Sequence, residues 1–188
     1  MKNLMYVGRY NSTRDFAAEV ITKSRVSSNQ LHVSSAGINA SGRMSTGETM
    51  RHYLLQKGYN SPPHNPTEIK ESYLKQQDLI LCIKDEYIKD VLSAAPGVEG
   101  KVFSLAEYSG HPEIEIINPL KVIREPQSWL GNKASTGLYK MLTGYVKSTD
   151  ESAKRSVYTD TITQIEEMVE DALIRMKQER LITFFRKK

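Results

Sequence analysis

Between Asp78 and Lys84 the chain runs through five apolar residues, LILCI, with no polar interruption. Such a run is short for a helix and shows no alternation, which predicts a strand buried on both faces in the middle of a parallel sheet. That expectation constrains everything around it. Both faces of the strand must be covered, and parallel neighbours need crossover connections long enough to hold a helix.

The flanking sequence has the required alternation of short apolar runs and helical patterns. Residues 4–7, LMYV, predict a first strand. The segment RDFAAEVITKSR, starting at Arg14, predicts a helix that buries Phe16, Ala17, Val20 and Ile21. Residues 30–34 predict a second strand with Leu31 and Val33 on one face. At Ser45 the sequence STGE reads as a capping box, opening a helix through Met50, Tyr53 and Leu54 that Gly58 ends. After the loop SPPHNP, Thr67 is expected to cap a short helix holding Ile69, Tyr73 and Leu74. DEYIKDVL predicts a helix, KVFSL a strand, and TDTITQIEEMVEDALIRMKQ a long amphipathic helix with Ile162, Ile165, Met168, Val169 and Leu173 on its buried side. Residues 121–158 lack clear periodicity and are expected to include an insertion.

Composition sets the outer limits. With 188 residues, 39% apolar and 26% charged, the chain has the makings of one globular domain, 1–188. The net charge of +4 is partly terminal, since ERLITFFRKK alone carries two Arg and two Lys against one Glu. A short basic end is ordinarily solvated, so neither nucleic acid nor a membrane surface is signalled as a partner. The N-terminal apolar stretch is too short for a secretory signal and no segment is long enough to cross a bilayer, so the expected compartment is the cytoplasm. A single cysteine, Cys82, excludes an internal disulfide and sits where cysteine acts as a small buried hydrophobe. His32, His52, His64 and His111 have no metal-ligand spacing, and no metal or other cofactor is expected.

The order of several motifs resembles the low-molecular-weight protein tyrosine phosphatases and the arsenate reductases that share their fold. That family opens on a strand, a C-x5-R phosphate loop and a helix, in the form LFVCTGNICRSPMAE. This chain has MYVGRYNSTRDFAAE at the same place, without a gap. SSAGI is similar to the family's S-A-G-T, residues 42–58 to its G-x-P-x-D-x-R-A-x-x-x-L-x-x-x-G, and DLILCIKDEYIKDVL to its D-L-I-L-A-M-D and the following helix. His64 falls where the family often has histidine, and KVFSLAEYSG resembles its fourth strand and loop. The resemblance implies an α/β three-layer sandwich: a four-stranded parallel sheet of order 2-1-3-4, helices on both faces and a long C-terminal helix.

It also implies a phosphate-binding loop over Gly8, Arg9, Tyr10, Asn11, Ser12, Thr13 and Arg14. Backbone N–H groups would curl around the oxyanion there while Arg14 holds its oxygens. The chemistry, however, is missing from two positions. Gly8 stands in the place of the cysteine nucleophile, and glycine has nothing with which to attack phosphorus. Cys82 is no displaced substitute, because Ile88 rather than arginine lies six residues on. In place of the family's D-P-Y-Y, whose aspartate is the general acid, the chain has Asn118-Pro119-Leu120-Lys121. A carboxamide cannot deliver that proton, and losing a general acid removes about 10²–10⁴ in rate.

The remaining loop residues admit two readings each. Arg14 is either the anion ligand or a tie to Asp15 or a backbone carbonyl. Tyr10 either fills the pocket or is an exposed recognition residue. Asn11 organises the loop, since Asn tolerates left-handed backbone and bonds to its surroundings. Asp15, where the family has the serine that stabilises the thiolate, opposes an incoming anion. The expected function is that of a pseudophosphatase binding phosphate or a phosphorylated protein. The competing readings are hydrolysis by another nucleophile, Ser12 or Thr13, and an interaction module with a closed pocket.

Overall fold

A computed structural model of the chain describes residues 1–40, 47–124 and 151–186. Four strands, β1 (Lys2–Gly8), β2 (Leu31–Gly37), β3 (Leu79–Cys82) and β4 (Val102–Ser104), form one parallel sheet of order β2-β1-β3-β4. The strand expected at the centre of the sheet is β3, and all four of its residues are buried. Its register aligns Leu4 with Leu79 and Val7 with Cys82 on one side, and Ile80 with Val102 on the other.

The described residues also form seven α-helices: α1 (Arg14–Arg25), α2 (Glu48–Gln56), α3 (Glu71–Lys75), α4 (Ile88–Ala94), α5 (Leu105–Tyr108), α6 (Pro119–Arg124) and α7 (Glu151–Gln178). The chain leaves β1 for β2 in one direction and β3 for β4 in the other. Right-handed crossovers therefore put α1 and α4 on opposite faces. Tyr6 marks the α1 face, its hydroxyl meeting Thr22 Oγ1 at 2.8 Å in the core. The stripe expected on the last helix is buried there too: Ile162, Ile165, Met168, Val169 and Leu173 are each at most 2% exposed. No described helix is long and apolar enough to cross a membrane.

One local expectation is corrected, and two others fall partly outside the described residues. Thr67 caps no helix: α3 starts at Glu71 with Lys70 at its cap, and residues 67–69 bridge the end of β2 through Gly37 N–H to Thr67 O and Ile69 N–H to Gly37 O. Ser45 and the start of the 42–58 motif lie outside the described residues; α2 itself opens at Glu48 behind Gly47, a left-handed glycine at φ 71° with no side-chain cap. Of the expected insertion, 121–124 closes α6 and 151–158 opens α7, where Val157 packs with Ile117 and Val122; residues 125–150 lie outside the described residues.

Candidate functional site

The strand order creates a crevice. Connections depart in opposite directions from the carboxyl ends of β1 and β3, and in open α/β sheets ligands bind at such a switch point. A cavity of about 360 Å³ lies there, lined by Gly8, Arg9, Tyr10, Ser12, Thr13, Arg14 and Asp15, with Ile83 and Tyr87 from beyond β3, Asn118 just before α6 and Leu120 in its first turn. Six of the seven expected loop residues therefore share one pocket with the degenerate acid position, Asn118. The seventh, Asn11, does not line it.

Asn11 is fully buried and serves as the loop's anchor. Its backbone is left-handed (φ 51°), its amide donates to Ser35 Oγ at 2.7 Å, and its Oδ1 accepts the Thr67 N–H at 2.8 Å. Its carbonyl meets His64 Nε2 at 2.6 Å, and the His64 ring stacks on Phe16 with centroids 4.1 Å apart. The loop also lies directly on the end of β2. A Cβ at Gly37 would come within 2.8 Å of the Asn11 nitrogen, so only glycine permits this approach.

Arg14, 6% exposed, donates from Nη1 to the carbonyl of Ile116 at 3.2 Å. The backbone-carbonyl tie expected from the sequence is present, and it reaches the segment that carries Asn118. A guanidinium has five N–H donors, this is the only side-chain hydrogen bond of Arg14 among the described residues, and Arg14 also lines the cavity. Tyr10 is half-buried at the wall, with the Arg9 guanidinium 5.8 Å from its ring centre.

Asp15 decides the character of the floor. It is 3% exposed, accepts the Thr13 N–H at Oδ1 (3.3 Å) and the Asn11 amide at Oδ2 (3.3 Å), and its side chain turns back under the loop. A Cβ built on Gly8 would lie 2.5 Å from that Oδ2 and 2.6 Å from the carboxyl carbon. The carboxylate thus occupies the space into which a residue 8 side chain would project. Burial pushes the Asp15 carboxyl above its ordinary range, while the Asn11 amide, the Phe16 and Thr13 N–H groups and the Arg14 charge pull the other way. Burial likewise raises Tyr87 and pushes the Cys82 thiol up to about 12, leaving it no nucleophile.

Tyr87 and Ile83 were not anticipated from the sequence. Their signal was positional, since both follow the central strand at the switch point. No group of three His, Cys, Asp or Glu residues among the described ones is placed to hold a metal ion.

Comparison with known proteins gives the site its context. The family model described as low molecular weight phosphotyrosine protein phosphatase matches residues 3–127. The low molecular weight protein-tyrosine-phosphatase Ptp of Acinetobacter johnsonii is 30% identical over 109 residues, 58% of this chain and 75% of that protein. Among solved structures, a mutant of YwlE from Bacillus subtilis superposes with a TM-score of 0.69 at 19% identity, over 94% of this chain and 99% of that one. A protein tyrosine phosphatase from Entamoeba histolytica, with Hepes in its active site, superposes at 0.68 and 17% identity, over 96% and 99%.

Proposed function

The chain belongs to the low-molecular-weight phosphotyrosine protein phosphatase family, and from that premise we propose that it is a non-catalytic member, a pseudophosphatase that binds phosphate or a phosphorylated protein without turning it over. One observation carries the reading: the space of a side chain at position 8 is taken by the Asp15 carboxylate. Phosphoryl transfer in a C-x5-R loop needs a nucleophile below the phosphorus, and this floor offers a hydrogen-bonded carboxylate above a glycine instead. Asn118, at the rim, has no proton to give a leaving phenolate.

Binding is favoured over a closed interaction module by the open cavity of about 360 Å³ and by the Arg14 guanidinium on its wall. In this reading residues 1–188 are one phosphatase-like domain, 121–158 includes an insertion, and the protein works in the cytoplasm.

The test is turnover of p-nitrophenyl phosphate by the wild type and by Arg14→Ala. No release of nitrophenol above the blank is expected from either. Turnover that disappears on Arg14→Ala overturns the reading, and a phosphorylated Ser12 or Thr13 in intact-mass spectra assigns the chemistry to another nucleophile.

A further inference from the structure

The cavity at the loop contains a mismatch that narrows its ligand. Its walls are cationic: Arg14, whose one side-chain hydrogen bond among the described residues goes to the Ile116 carbonyl, lines it together with the exposed Arg9. Its floor is an acceptor, the Asp15 carboxylate. An oxyanion with only bare oxygens would set negative oxygen against negative oxygen at short range and low dielectric. An oxyanion that carries an acidic O–H would hydrogen-bond to the same carboxylate, and that bond, with one partner charged, is of the strong kind.

We propose that Asp15 makes this loop a receptor for protonated oxyanions, which takes phosphate monoesters through one proton shared between phosphate and carboxylate and rejects sulfate esters, which bring none. The assignment rests on the reading of the loop as a binding site without turnover. It deepens that reading by naming the ligand chemistry and the residue that selects it.

A phosphate monoester loses its second proton at about pH 6 in water. Beside a carboxylate that proton is held to higher pH, by the same like-charge argument that applies to paired carboxylates. A sulfate ester has no proton in this range, so any shared proton must come from Asp15 itself. The groups that face Asp15 are the Asn11 amide and Thr13 N–H from the loop, Arg14 and the Phe16 N–H from α1, and Gly8 from β1. Arg9 and Tyr87 line the same cavity. Glu19 stands two hydrogen bonds beyond Asn11, through Ser35, and His64 is on the Asn11 carbonyl. Arg14 is the cation nearest at hand, but no ion pair joins it to Asp15, so the carboxylate's acceptor capacity is not consumed by a salt bridge.

Phenyl phosphate and phenyl sulfate are the probes, because they share an aromatic body and differ at the oxyanion. Calorimetric titration at about pH 7 is expected to favour phenyl phosphate by about tenfold or more in the wild type, as a site built around a polar partner rejects the analogue lacking it. Asp15→Ser is expected to bring the two affinities within about threefold, chiefly by gain of phenyl sulfate binding. A wild-type pH series keeps the test independent of that variant's folding: phenyl sulfate affinity is expected to rise on acidification, as Asp15 takes up a proton, while phenyl phosphate binding persists to higher pH. Equal affinity for both ligands in the wild type, failure of the wild type to bind either, or sulfate affinity indifferent to pH overturns the proposal. Phenol released during the same titrations would instead overturn the non-catalytic reading, so the two failures are distinct.

Discussion

Position 8 shows how one small residue and one distant side chain come to depend on each other. Gly8 lies at the end of β1 with no Cβ, and Asp15, seven residues later, fills the vacated space with its carboxylate. Reinstating a thiol there is therefore no simple replacement. Gly8→Cys alone is expected to be overpacked, less stable by about 1–3 kcal/mol and without turnover, whereas Gly8→Cys with Asp15→Ser relieves the contact and recovers most of that stability. Paired urea melts of the two variants measure the difference. Asp15 also predicts a pH dependence. Its carboxyl is raised in the fold, so the folded state keeps a proton that the unfolded state has released, and stability falls as pH rises upward from the ordinary carboxylate range. The stability of Asp15→Ser relative to the wild type should thus increase as pH rises from about 4, read from midpoints of denaturant unfolding at each pH. A relative stability that is flat above that pH would remove burial of charge as the explanation.

At the scale of elements, the site is held from two sides. The β1–α1 loop is pinned by Asn11 to Ser35 at the end of β2 and to the Thr67 backbone, and by His64 to the loop that follows α2. A side chain of α7 stitches the segment before α6: Gln164 Oε1 accepts the Ile117 N–H at 2.9 Å and its amide donates to the Glu115 carbonyl at 3.2 Å. Arg14 then joins the two halves through Ile116. Gln164→Ala should leave the sheet intact, lower stability by about 1 kcal/mol, and loosen residues 114–118 and hence Asn118. Amide hydrogen exchange at Ile116 and Ile117 reads that loosening, and unchanged protection there would show the stitch to be redundant. The helical and strand periods were legible in the sequence because each is local: α1 runs over the expected Arg14–Arg25, and β3 over four of the five apolar residues of its run. Thr67 was misread because its role is non-local. The choice between capping a helix and bridging Gly37 depends on where β2 ends, which no neighbouring residue encodes.

The segment after α7 folds back onto the sheet. After α7 the chain turns at Arg180, held left-handed at φ 58° with Leu181 N–H returned to the Met176 carbonyl at 2.8 Å. It then runs beside the start of β2, where Gln30 Oε1 accepts the Thr183 N–H and Ile182, 5% exposed, joins the core. Ile182→Ala should lower stability by about 2–4 kcal/mol while leaving oxyanion binding at the far end of the sheet unchanged, as thermal melts and titration on the same sample will show. By itself the sequence determined the α/β class, the central strand, the order of the motifs and the absence of a cysteine at position 8, because these are matters of local period and residue identity. Only the tertiary structure decided what replaced that cysteine. Asp15 was visible as a charge that would oppose an anion, but its place in the floor follows from the direction in which the first turn of α1 aims a side chain across the end of β1. That is fixed by packing between elements, and so is the company of Tyr87 and Asn118, brought to the same cavity from beyond β3 and beside α6.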